Sequence, residues 1–279
     1  MNGSDNLKEK KRRILFLTVW LSLIALLITL IVIIGFPDEK GESIKELMKD
    51  GVLHDVNRIS FFGLDVNPGF ISALTVSALL IIAALIIRIF VIPKFKDVPG
   101  KFQNIIELLV GFFSDMAAAN SSHKRGFAGG YIFSAGVYIA FGTLFELFGV
   151  QAVASNGRAV TLSAPLADIN GAIAMGVLSY LVILICGIVT NGFRGALGVL
   201  KDFSLPISMS FRLFGALLSG LLVTELVYYY TLTSVVLPVI VGVLFTLLHA
   251  IIQTYVLATL VSVFFGEAAE PKLKKKKTK

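Results

Sequence analysis

The stretch Phe203-Ser204-Leu205-Pro206-Ile207-Ser208-Met209-Ser210-Phe211-Arg212-Leu213-Phe214-Gly215-Ala216-Leu217-Leu218-Ser219-Gly220 places one arginine in a run that is otherwise apolar or small. The run continues without another charge until Glu225. About 20 mostly apolar residues cross the hydrocarbon core of a bilayer, so this stretch predicts a membrane-spanning helix with a charge inside it. Counted upright from Phe203, Arg212 falls about 14 Å from the inner end of a core roughly 30 Å thick. A guanidinium does not deprotonate in proteins, so the charge is permanent. Depth alone leaves two roles open: a snorkelling side chain or half of a structural ion pair, and a component of an ion path.

Working outward, five more stretches have the length and apolarity of a span. The six are Ile14–Ile34, Phe70–Ile92, Tyr131–Val150, Ile169–Thr190, Phe203–Tyr230 and Val235–Gly266. The composition agrees: 56% of the 279 residues are hydrophobic and 15% charged, against about 25% charged in soluble domains. The expected fold is an all-α polytopic membrane protein of about six transmembrane helices. The first stretch has the basic flank of a signal peptide, Lys8 to Arg13, but its apolar run is longer than a signal's core and no small-x-small cleavage site follows. It is therefore expected to stay as an anchor. The chain divides into an anchor and external segment (1–60), a helical unit (61–266) and a basic tail (267–279).

Charge sets the orientation. The net charge is +7, and both ends are basic, with Lys272, Lys274, Lys275, Lys276, Lys277 and Lys279 closing the chain. Basic tails also bind nucleic acid, but tails that flank long apolar runs fit the positive-inside rule, and no nucleic-acid partner is expected. With both termini cytoplasmic, the loops holding Lys94, Lys96, Lys101, Lys124 and Arg125, and Arg194 and Lys201, also fall inside. One segment is amphipathic and does not span. After Pro99-Gly100, the residues Phe102, Ile105, Ile106 and Leu109 share one helical face, while Lys101, Gln103, Asn104 and Glu107 lie elsewhere. This predicts a helix on the cytoplasmic-side interface. Cys186 is the single cysteine, and His54, His123 and His249 are scattered, so no metal site or cofactor is expected.

The remaining polar residues of the spans form a pattern. Thr246, His249 and Gln253 share one face of the last span. If the last two spans form a hairpin, Gln253 can face Arg212, Ala216 can face His249 and Ser219 can face Thr246. A histidine there can relay protons or simply pack with a hydrogen bond. Glu146, Asp168, Asn170 and Glu225 gather toward the outer side. Asp168 is also placed to be a helix N-cap. Together these acids predict a wet outer funnel that ends at a fixed positive charge, which suits two half-paths exchanging ions with something else.

Several blocks carry a resemblance. Val98-Pro99-Gly100-Lys101-Phe102-Gln103 with Glu107, Leu144-Phe145-Glu146-Leu147, Ala167-Asp168-Ile169-Asn170, Ser208-x-Ser210-Phe211-Arg212-Leu213-Phe214-Gly215 and Gln253-Thr254-Tyr255-Val256 occur in this order. They resemble the subunit a family of F-type ATP synthases, over about Phe61 to Phe265. The resemblance implies a non-catalytic stator subunit in a bacterial-type plasma membrane. Its partners would be the c-ring and b-type peripheral stalk subunits. The last two spans would form a hairpin against the ring, and the ion, H⁺ or Na⁺, would pass through two half-channels. It also implies that Arg212 is the charge barrier, supported by Gln253. The chain departs from the family's pattern at Ala216 after the RLFG block, at Leu221 and at Thr246, where the family often has Asn, a carboxylate, and His or Glu. Glu225 and His249 are the candidate replacements, roughly 13 Å apart in level on that hairpin register. The rival class is an autonomous cation-coupled secondary transporter, which predicts repeated halves with broken helices. No such repeat is evident. A purely structural anchor leaves the arginine unexplained.

Overall fold

The fold comes from a computed structural model that describes residues 11, 13–22, 25, 29, 58–120, 125–155, 157, 159–229 and 237–270. Its helices are α1 (Arg13–Ser22), α2 (Pro68–Ile86), α3 (Lys101–Asn120), α4 (Arg125–Phe145), α5 (Ile169–Leu200), α6 (Ser204–Tyr229) and α7 (Leu237–Ala269). The all-α polytopic class holds. Among the described residues five helices are long and apolar enough to cross a membrane: Pro68–Lys94, Gly126–Phe148, Ile169–Leu200, Ser204–Thr224 and Ile240–Ala269. Of the expected first span Ile14–Ile34, only α1, Ala25 and Thr29 are described, and the rest lies outside the described residues.

Local sequence explains the helix starts. Asn67 caps α2, its Oδ1 accepting from the Gly69 N–H at 2.9 Å, and Pro68 follows at the first helical position, where its missing N–H costs nothing. The amphipathic α3 turns Phe113 and Ala117 inward and leaves Phe102, Ile105 and Leu108 exposed, the arrangement of a helix lying against lipid. Gln103 ties its start to the preceding loop: its amide donates to the Lys96 carbonyl at 2.9 Å, and its Oε1 accepts from the Lys96 N–H at 3.1 Å.

Two short hairpins escaped the sequence reading. β1 (Ile59–Phe61) pairs with β2 (Leu64–Val66), and β3 (Gln151–Val153) with β4 (Ala159–Thr161). Phe62 and Gly63, at φ 50° and 82°, form the two-residue turn of the first. Positive φ at both positions is what a tight hairpin requires. The hairpins are joined at Ser155, whose hydroxyl lies 2.9 Å from Asp65 Oδ1 and whose N–H donates to the Arg58 carbonyl at 2.8 Å.

α7 is the central helix and packs against α3, α4, α5 and α6. At 33 residues it is about 50 Å long, well beyond the hydrocarbon thickness, so it tilts or extends past the hydrocarbon. It runs to Ala269, past the expected end at Gly266. In lipid, helices associate by close van der Waals packing rather than by the hydrophobic effect, and small residues permit it. Phe113 sits on Gly136, and α6 crosses α5 where Ser210 and Pro206 lie on Gly176.

The connection from α5 to α6 corrects a depth estimate. Gly192 has φ 59° and ψ −145°, a conformation almost confined to glycine, and the chain reverses there. Residues 193–200 fold back along α5, with Gly195 on Gly187 and the Tyr180 hydroxyl 3.3 Å from the Val199 carbonyl. α6 therefore starts beside the body of α5, not at its end. Ser210 lies level with Gly176, about 22 Å along α5 from Asn191, so the 14 Å counted for Arg212 from Phe203 is too short. A leucine at Gly176 would collide with the α6 backbone, whereas Gly142 has only ordinary contacts of 3.5 Å or more with Pro165. Gly176→Leu should deplete the subunit from membranes severalfold and Gly142→Ala should not, as read by quantitative immunoblotting. Equal amounts of both would contradict the crossing.

Candidate functional site

α6 has two faces. Leu205, Met209, Leu213 and Leu217, four residues apart, are buried against the bundle. Ser208, Phe211, Arg212, Gly215 and Ser219 lie on the outer side and are exposed. Arg212 is thus on the flank of the bundle and not inside it. Among the described residues it has no hydrogen-bond or ion-pair partner. Small residues surround it: nothing approaches within 4 Å of the place a side chain on Gly215 would take, and the Ser219 hydroxyl turns back to the Ala216 carbonyl at 2.7 Å. α7 also leaves an apolar stripe exposed, through Leu244, Leu248, Ile251, Ile252 and Tyr255.

The hairpin register differs from the sequence expectation by one helical turn. The His249 ring lies 3.8 Å from where a side chain on Gly220 would begin, so Gly220, not Ala216, faces His249. Thr224, not Ser219, shares a cavity with Thr246. Gln253 accordingly falls level with Ala216 and does not face Arg212. It is only 6% exposed, and its Oε1 has no hydrogen-bond partner among the described residues. The physical reason is the packing of α6 on α7 through Leu217 and Gly220, which turns Arg212 away from α7. The same shift brings Glu225 to about 8 Å beyond the level of His249, in place of 13 Å.

The expected single funnel is two separate clusters. In one, Thr143 and Glu146 at the end of α4 meet Leu217, Gly220 and Thr224 of α6 and Phe245, Thr246 and His249 of α7, around a cavity of about 10 Å³. Thr143 is 2% exposed and Thr246 is buried. His249 Nδ1 lies 2.9 Å from the Phe245 carbonyl. In the other, Asp168 and Asn170 line a cleft of about 720 Å³ between α2, α4 and α5, with Asn67, Tyr131 and Tyr138. The Asn67 amide donates to Asp168 Oδ1 at 3.2 Å, and the Tyr131 and Ser179 hydroxyls are 2.8 Å apart. Asp168 occupies the N-cap position of α5 but makes no side-chain capping bond. Sequence reasoning missed Asn67, Tyr131, Thr143 and Thr224. Asn67-Pro68 was legible as a cap, while the hydroxyls in long apolar runs gave no signal of which face they occupy.

A third polar region lies at the far end of α7. Asn191, Asp202, Glu267 and Glu270 line a cavity of about 250 Å³. The Asn191 amide donates to the Glu270 carbonyl at 2.9 Å. Projected along α7, Arg212 is level with Leu257, about 12 Å from His249 and 15 Å from Glu267. The arginine therefore stands between two polar pockets that open at different ends of the bundle.

This arrangement is accompanied by a match of residues 72–266 to the ATP synthase A chain family model. The chain belongs to the ATP synthase A chain family. It is a multi-pass membrane protein, subunit a of the membrane sector of an F-type ATP synthase, and it associates with other subunits of that complex. The match covers most or all of every span except the first, and every candidate residue from Glu146 to Gln253.

The unpartnered Gln253 oxygen separates folding from work done in the complex. An unsatisfied buried acceptor costs about 1–3 kcal/mol, so Gln253→Met should leave the amount and thermal stability of the solubilised subunit unchanged or slightly raised, while coupled pumping falls. A large loss of subunit would show that the oxygen has a structural partner.

Proposed function

We propose that this subunit conducts protons through two half-channels to a rotating c-ring, with Arg212 as the barrier between them. The observation that carries the proposal is Arg212 itself: a permanent charge on the outer face of α6, unpaired among the described residues and flanked by a polar pocket toward each end. Placing an arginine within the hydrocarbon costs about 3 kcal/mol. A carboxylate at about 4 Å returns roughly 4 kcal/mol at an effective dielectric of 20. The two terms nearly balance, so a ring carboxylate can pair with Arg212 when ionised and leave when it is neutralised.

In this reading the outer half-path runs through Glu146, Thr246 and His249, with Glu225 one residue beyond Thr224 and with Asp168 and Asn170 as a separate outer mouth. The inner half-path uses Asp202, Glu267 and Glu270. Ser208, Gly215 and Ser219 allow a ring helix to approach Arg212 closely, and Gln253 supplies an acceptor as the hairpin adjusts to the ring. The subunit sits in a bacterial-type plasma membrane with both termini cytoplasmic, and b-type stalk subunits hold it against the ring.

Arg212→Ala in the assembled complex should abolish ATP-driven pumping and ATP synthesis while the subunit still co-purifies with the ring. Arg212→Lys keeps the charge but not the planar fork, and should leave pumping at least about ten-fold slower. Coupled pumping retained in Arg212→Ala would overturn the barrier role.

A further inference from the structure

The cavity between Glu146 and His249 is about 10 Å³, the space that one water molecule occupies. Among the described residues three threonine hydroxyls line it, Thr143, Thr224 and Thr246, and the hydrogens of the first two are engaged elsewhere. The Thr143 hydroxyl gives its hydrogen to the Ile139 carbonyl at 2.7 Å, and the Thr224 hydroxyl gives its hydrogen to the Gly220 carbonyl at 2.9 Å. A hydroxyl has one hydrogen and two lone pairs, so both threonines present only acceptor capacity to the cavity. The Phe245 carbonyl can only accept, so His249 Nδ1 carries the ring hydrogen in the neutral imidazole and Nε2 is the basic nitrogen. Among the described residues, the titratable groups around the cavity are Glu146, in the turn that follows α4, and His249 from α7. Glu225 follows Thr224 on α6.

We propose that Thr143 and Thr224 position a single water, or the hydronium it becomes, between Glu146 and His249, and that this one-molecule site is the proton-selective step of the outer half-path. The inference rests on the half-channel reading above. Both threonines are positioning residues: the proton moves between Glu146, the water and Nε2. In the transfer an O–H bond of protonated Glu146 breaks as a new O–H bond forms on the water. A different O–H bond of that water breaks as an N–H bond forms at Nε2. The water is left intact, Glu146 is a carboxylate ready for a proton from outside, and the imidazolium passes its proton inward. The lone pairs of Thr143 and Thr224 suit a hydronium, which has three hydrogens to donate. Sodium also takes oxygen ligands, but it needs about six and pairs poorly with imidazole, and a cavity for one water leaves no room to complete that shell.

The test uses the assembled ATP synthase in proteoliposomes, with rates expressed per complex that contains the subunit. Thr143→Val and Thr224→Val keep shape and remove the lone pairs. Each should slow ATP-driven proton pumping by about ten-fold, and Thr143→Ser and Thr224→Ser should restore it to within about two-fold. The activity-against-pH profile should shift in the valine variants and return in the serine variants, which a packing role would not produce. Wild-type pumping should be the same with and without sodium. Valine variants that pump like the wild type, serine variants as slow as valine, or a sodium requirement would each overturn the proposal. Arg212→Ala run in parallel separates the two readings: if it pumps, the half-channel reading fails, whereas if it is silent while the valine variants are normal, the water site alone fails.

Discussion

The arrangement turns on one unpaired guanidinium. A charge in hydrocarbon is tolerated when it is paired, hydrated or about to be paired. Arg212 has no counter-charge among the described residues, and α6 turns it outward. The rest of the bundle accounts for why it stays there. Leu205, Met209, Leu213 and Leu217 fill the inward face of α6, so rotating the helix to bury the arginine would expose four packed leucine or methionine side chains and place a charge in the apolar core. Arg212 is therefore held on the outer side of α6 by the packing of the opposite face.

Glycine contacts set where on the bundle this happens. The reversal at Gly192 and the close approach of Gly195 to Gly187 bring the chain back along α5 before α6 begins. The crossing at Gly176 then holds Ser210, half a turn from Arg212, against the middle of the bundle. These contacts convert a sequence position near the start of a helix into a spatial position between two polar pockets. The long α7 links those pockets, with His249 near one and Glu267 near the other. On the proposed function, this is the geometry two offset half-channels require: each reaches the ring, and neither reaches the other.

Much of this was legible in the sequence, and the reasons for the exceptions are physical. Span lengths, the amphipathic α3 and the outlying arginine follow from apolar periodicity and from the cost of charge in lipid, which act locally. The helix-to-helix register did not follow, because it depends on which small residue takes the neighbouring ring: Gly220 and Ala216 are both small, and only the fold puts His249 on the former. Gln253 was expected to face Arg212 for the same reason and lies a turn away. The fold-back after Asn191 rests on a single positive-φ glycine, and Gly192 in sequence is indistinguishable from the many other glycines of the spans. The two hairpins hinge on Phe62-Gly63 and on a joint at Ser155, contacts between segments about 90 residues apart.

The central claim is that the exposed stripe of α6 carrying Arg212 lies against the c-ring, and disulfide mapping tests it most directly. In a Cys186→Ala background, single cysteines at Ser208, Gly215, Ser219, Leu213 and Leu217 would each be paired with a cysteine beside the ring carboxylate, and cross-linking measured in native membranes. The account predicts cross-links from Ser208, Gly215 and Ser219 and none from Leu213 or Leu217. Cross-links from the leucine positions, or none from the Arg212 face, would contradict it.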